Sequence, residues 1–162
     1  MENKLAFYNR LTKQAVAIIE DEPDVIANLS NISALLNMEL EDINWVGFYL
    51  LKGEQLVLGP FQGKVACVRI PVGRGVCGTA LSEDTVQRID DVHQFEGHIA
   101  CDAASNSEIV IPFRIGGELY GVLDIDSLSC QDLTNLMKRV LFLSLMRYKN
   151  TSNFMLSVVF QR

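Results

Sequence analysis

The stretch EIVIPFRIGGELYGVLDID, residues 108–126, decides the fold. Two apolar-rich runs, Glu108 to Ile115 and Glu118 to Asp126, flank Gly116-Gly117, and two glycines between such runs predict a tight β-hairpin. Working back from the hairpin, Asp90 to Ser107 is a long polar stretch holding His93, His98 and Cys101. A loop of that length inside a compact domain usually has a task. Before it, Thr85 to Ile89 reads as a strand and Gly78 to Ser82 as a short helix. Ala66 to Val72 reads as a strand stopped by the Pro71–Gly75 region, and Gln55 to Leu58 as one that follows the Lys52-Gly53 turn. From Asn44 the period is two, with Trp45, Gly47 and Tyr49 alternating against Val46, Phe48 and Leu50.

Further upstream the period changes to that of a helix. Leu5, Leu11, Ala15, Ile18 and Ile19 stripe residues 4–20, and Val25, Leu29, Ile32, Leu35 and Leu36 stripe a second helix after Glu22-Pro23-Asp24. Downstream, Leu133, Leu136, Met137, Val140 and Leu141 predict a closing helix over 132–148. Helices, then a meander of strands, then a helix predict an α+β domain whose antiparallel sheet carries helices mainly on one face. Residues 1–149 form one such domain in this reading, and 150–162 a tail.

Composition narrows the function classes. A chain of 162 residues, 49% hydrophobic and 21% charged, is long enough for one cored domain. A net charge of −6 and the lack of a Lys/Arg cluster argue against a nucleic-acid surface. The N-terminal MENKLAFYNRL has no apolar run of signal-peptide type, and no segment approaches a membrane span, so the expected location is cytoplasmic. In a reducing compartment Cys67, Cys77, Cys101 and Cys130 are not expected to act as permanent staples. Catalysis, redox sensing, metal binding and packing stay open for the first three; Cys130 reads as a small core hydrophobe.

Each motif has a plainer reading beside the functional one. Gly73-Arg74-Gly75-Val76-Cys77-Gly78 fits G-x-G-x-x-G, but it sits mid-chain within a meander rather than opening a βαβ unit, which argues against a dinucleotide site. Its glycines still suit a turn that offers backbone N–H groups to an anion. Cys67, Cys77, His93, His98 and Cys101 lack the closely spaced cysteine pair of zinc sites, so no metal is expected, and the histidines read as loop hydrogen-bonders. Asp124 and Asp126, two apart on a strand, share a face, and Glu108 on the partner strand reaches it if the hairpin pairs in register. Asp is disfavoured in strands, so the pair is either a site or a solvated strand end. Trp45 and Tyr49 share a face of their own strand, either as a core pair or as an aromatic wall for a cationic or thioether ligand.

The segments Asn44 to Tyr49, Gly59 to Gly63, Ala66 to Pro71, Gly73 to Gly78, Gly97 to Asp102, Ser107 to Val110 and Gly121 to Ser127, in this order, resemble the free methionine-(R)-sulfoxide reductases, a GAF-domain family. The resemblance covers about residues 1–127; Glu96 stands where the family generally has Pro, and after Ser127 the family pattern stops. It implies that Cys101 attacks the sulfoxide sulfur, that Cys67 resolves the sulfenic acid as a disulfide, and that Cys77 is an auxiliary third cysteine. It further implies a substrate pocket of Trp45, Tyr49, Glu108, Asp124 and Asp126, thioredoxin as reductant, a homodimer, and no cofactor.

The residues support that chemistry. Reduction of a sulfoxide needs a thiolate nucleophile and protons for the departing oxygen. Crowded carboxyls raise one another's pKa, so Glu108 with Asp126 is the candidate acid, with Asp124 orienting the substrate ammonium. The Gly73–Gly78 turn is the expected seat of the substrate carboxylate. A free amino acid carries both charges and a peptide-bound methionine carries neither, which makes the free form the expected substrate. The competing reading is a GAF module that binds a ligand or senses redox state without turnover.

Overall fold

The computed structural model describes residues 3–95, 97 and 105–129. Cys101, His98, Cys130, the helix expected over 132–148 and the tail 150–162 lie outside the described residues.

Two capped helices open the chain. The Asn3 side chain accepts from the Ala6 N–H at 2.8 Å and starts α1 (Lys4–Ile19), and Asp24 does the same for Ala27 at 2.8 Å at the head of α2 (Val25–Glu39). The strands are β1 (Ile43–Lys52), β2 (Gln55–Gly63), β3 (Arg69–Pro71), β4 (Gln87–Ile89), β5 (Ser107–Ile115) and β6 (Glu118–Ser127), with α3 (Gly75–Glu83) between β3 and β4. They form one antiparallel sheet in the order β3-β2-β1-β6-β5-β4. The predicted hairpin is thus β5–β6, and β1 joins it to the N-terminal half of the sheet.

Period-two alternation divides the sheet into two cores. Val46, Phe48, Leu50, Ile109, Ile111, Phe113, Leu123 and Ile125 face α1 and α2, where they meet Leu11, Leu29, Ile32 and Leu36. Phe48 and Phe113 pack edge to face at 5.5 Å in its middle. The other face carries Trp45, Tyr49, Val110 and Val122 under Val76, Cys77, Ala80 and Leu81 of α3. Among the described residues, helices therefore lie on both faces, two against one, and the short α3 roofs the face that bears the carboxylates.

Several boundaries differ from the periodicity reading. β2 runs on to Gly63, since β1 offers it pairing partners as far as Trp45. Ala66 to Val72 is strand only over Arg69–Pro71; Ala66 to Val68 are loop, because β2 supplies ladder partners to β3 only over Gln55–Val57. α3 starts at Gly75, three residues before the expected Gly78. Pro60 and Pro112 both lie beyond the residues paired to the short edge strands, where a missing N–H costs no pairing with them.

Candidate active site

Register assembles the site. Across three adjacent strands Trp45 pairs with Asp126, and Asp126 with Glu108; in the next row Gly47 pairs with Asp124, and Asp124 with Val110. Paired residues point to the same face of a sheet, so the aromatic residues and all three carboxylates converge beneath α3. Glu108 and Asp124 are each 6% exposed, whereas Asp126 is half-buried at the rim. A solvated strand end is excluded for Asp124.

Gly47 makes room for the aromatic wall. A Cβ there would lie 2.3 Å from the Phe61 Cβ and 2.8 Å from the Trp45 Cη2. Without it, Trp45 stacks on Phe61 at 5.3 Å and on Tyr49 at 5.9 Å. The polar ends of both aromatics are satisfied outside the carboxylate cluster: Trp45 Nε1 donates to the Lys64 carbonyl at 3.1 Å and Tyr49 Oη to the Cys67 carbonyl at 2.9 Å. Burial, followed by the charge of Asp124, holds the Tyr49 phenol far above its usual pKa, so it stays a neutral donor.

Cys77 arrives from above on the first turn of α3. Its Sγ donates to Glu108 Oε1 at 3.9 Å, and Asp124 is hydrogen-bonded to both Cys77 and Glu108. One oxygen of Asp124, Oδ1, is buried with no hydrogen-bond partner among the described residues. Taking acidic groups out of water disfavours their charged forms. Burial first, and then the charge of Asp126, lifts the Glu108 carboxyl from 4.5 to about 8. Burial and the charge of Glu108 raise Asp124 well above the carboxylate range. Burial, then Asp124 and Glu108, raise the Cys77 thiol.

At neutral pH the cluster therefore holds protons, and Cys77 is a neutral thiol and a poor nucleophile. The ligating atoms of Cys77, Glu108 and Asp124 lie within 4.8 Å of one another, close enough to converge on one small cation, an ammonium or a metal ion. The orphan Asp124 oxygen and the acids Glu108 and Asp126 suit a ligand that is positive at one end and accepts a proton at the other.

Other predicted features are more dispersed. Of the Gly73–Gly78 turn, the N–H groups of Gly73, Arg74 and Gly78 bond to the carbonyls of Gly78, Pro71 and Arg74, so an anion there is left with the amides of Gly75 to Cys77. Arg74 caps α3 without a side-chain hydrogen bond. His93 Nε2 meets Asn106 Oδ1 at 3.2 Å and is a loop hydrogen-bonder. Cys67 is disulfide-bonded, and Cys77 is a free thiol. Sequence reasoning left Cys77 apart from the carboxylates; the only signal was its place on a strand-to-helix turn. Phe61, third member of the aromatic stack, was missed because β2 read as ending at Leu58. Among the described residues no helix is long and apolar enough to cross a membrane.

The six-stranded antiparallel sheet, with a cluster of aromatic and acidic side chains under a short helix, is that of a GAF-domain protein, and the GAF domain model matches residues 24–142. The free methionine-R-sulfoxide reductase of Escherichia coli (strain K12) is 62% identical over 125 residues, spanning 77% of this chain and 76% of that protein. Its namesake in Saccharomyces cerevisiae is 40% identical over 147 residues, 86% of this chain and 82% of that one. The solved structure of fRMsr of Staphylococcus aureus in complex with substrate superposes with a TM-score of 0.80 at 55% identity, covering 85% of this chain and 90% of that one. Within the GAF proteins, the chain belongs to the free methionine-R-sulfoxide reductase family.

Proposed function

We propose that this protein reduces free L-methionine-(R)-sulfoxide to L-methionine, with Cys101 as nucleophile and Cys67 as resolving thiol. The observation that carries the reading is the buried trio Glu108, Asp124 and Cys77, with an unpartnered Asp124 oxygen, on the sheet face that also carries Trp45 and Tyr49. Relatives named for this reaction, one of them in complex with its substrate, support it.

The substrate ammonium bonds to Asp124, and the methyl and sulfur lie against the aromatic wall. The Cys101 thiolate attacks the sulfoxide sulfur, and Glu108, assisted by Asp126, delivers a proton to the oxygen. The oxygen passes to Cys101 Sγ as the substrate S–O bond and the transient Sγ–S bond break, which releases methionine and leaves Cys101 as a sulfenic acid. The Cys67 thiol displaces water from that acid to form a Cys67–Cys101 disulfide, and a dithiol of the thioredoxin class returns both to thiols. Cys77 does not enter this relay; its S–H holds the carboxyl pair in place. The protein works in the cytoplasm as a homodimer and needs no cofactor.

Single-turnover release of methionine tests the assignment. Cys101→Ser should release none, whereas Cys67→Ser should release one equivalent and then stall. Stoichiometric release by Cys101→Ser would overturn the nucleophile assignment. Peptide mapping of oxidised protein should find Cys67 joined to Cys101; a Cys67–Cys130 pair alone would overturn the relay. Binding of methionine sulfoxide by reduced protein, with no turnover of any diastereomer, would favour the sensory reading.

A further inference from the structure

The loop that carries Cys67 is built to be met from outside. Residues 62–65, the last two of β2 and the two that follow it, are exposed, with Val65 90% exposed and Val68 62% exposed on either side of the half-buried Ala66 and Cys67. A lone exposed valine is ordinary, but two within four residues flanking a cysteine make a small apolar patch. The loop is not slack beneath these side chains. Trp45 Nε1 holds the Lys64 carbonyl and Tyr49 Oη holds the Cys67 carbonyl, so the two aromatic walls of the pocket strap the loop from the inside at both ends. The exposed residues Lys64 and Arg69 bracket the valines in sequence, a local positive rim on a chain of net charge −6.

We infer that Val65 and Val68, rimmed by Lys64 and Arg69, are the docking face for the dithiol protein that reduces the Cys67 disulfide. The occupant follows from what the face surrounds: a disulfide-bonded cysteine is the one group in this loop with chemistry to offer a visitor. An apolar centre with a charged rim is the anatomy of a small, transient interface, and redox encounters lie at the low end of interface size. In the exchange, one thiolate of the visitor attacks the Cys67 disulfide, forming a mixed disulfide and expelling the other sulfur as thiolate. The visitor's second thiol then closes its own disulfide, so two electrons and two protons pass to this protein. The inference rests on the relay proposed above for its purpose, but the face itself is tested without sulfoxide.

The test mixes oxidised protein with reduced thioredoxin, or with dithiothreitol, and follows the second-order rate of disulfide reduction. The double variant Val65→Asp/Val68→Asp should be reduced by thioredoxin about tenfold more slowly or worse. Its rate with dithiothreitol, which needs no docking face, should match that of the parent. An unchanged rate with thioredoxin would overturn the inference, as would equal slowing with both reductants or failure of thioredoxin to reduce the parent protein. Loss of sulfoxide turnover in the parent would instead strike the proposed reaction, a result this rate measurement does not depend on.

Discussion

Replacing Glu108 by Gln removes one proton and leaves the shape of the side chain, which makes it the sharpest perturbation of the site. Glu108 sits under α3, 6% exposed, and faces Asp124 and Asp126 from β6, Cys77 from α3 and, across the pocket, Tyr49 from β1. Its pKa of about 8 in the folded protein keeps it protonated at pH 7, whereas an unfolded chain ionises it from 4.5 upward. The folded state thus holds a proton that the unfolded state has lost, and stability should fall as pH rises through this window. The slope is at most about 1.4 kcal/mol per pH unit for one proton. That contribution is fully present below 4.5 and gone above about 8. Glu108→Gln should flatten the decline in Tm between pH 5 and 8 by removing this group from the titration. It should also slow the chemical step by about 10²–10⁴-fold, the usual worth of a positioned acid, equivalent to roughly 3–5 kcal/mol of barrier. Melting curves at a series of pH values and single-turnover methionine release measure the two effects. A variant that turns over like its parent, or that melts with the parent's pH dependence, would refute the reasoning.

Asp124→Asn should raise KM for methionine sulfoxide more than it lowers kcat, if the unpartnered Asp124 Oδ1 takes the substrate ammonium as proposed; steady-state kinetics read the split. Cys77→Ser, which keeps a donor toward Glu108, should lose less activity than Cys77→Val, and native Cys77 should resist iodoacetamide because its thiol is buried and neutral; rapid labelling would contradict this. Gly47→Ala should cost about 1–3 kcal/mol in urea unfolding, because its Cβ would meet Phe61 at 2.3 Å and force the aromatic stack apart.

The sheet and the face each strand buries were legible because alternation with period two carries both facts at once. Trp45, Tyr49, Glu108, Asp124 and Asp126 meet because two registers put them in adjacent rows, that of β5 with β6, joined by the Gly116-Gly117 turn, and the long-range one of β1 with β6. What sequence could not supply was the third dimension. No local pattern says that α3 crosses to the carboxylate face, so the contact of Cys77 with Glu108 was invisible. Nor does any pattern say that Asp124 is buried: strand aspartates look alike whether or not a helix roofs them. The segment Ala66 to Val68 misled for the opposite reason, since its small and β-branched residues suit a strand, yet pairing with β2 stops at Val57 and Arg69 although β2 itself runs on to Gly63. The straps from Trp45 and Tyr49 to that loop are side chain to backbone bonds spanning 19 and 18 positions, beyond any local reading.

The central claim is that this pocket selects a free amino acid carrying an (R)-sulfoxide. Reduced protein supplied with dithiothreitol should be given free L-methionine-(R)-sulfoxide, the (S) diastereomer, and a peptide with an internal methionine sulfoxide, and the loss of each followed by chromatography. The expected result is consumption of the free (R) form with the other two left largely intact. Equal consumption of the peptide, or no consumption of the free (R) form by folded protein, would contradict it.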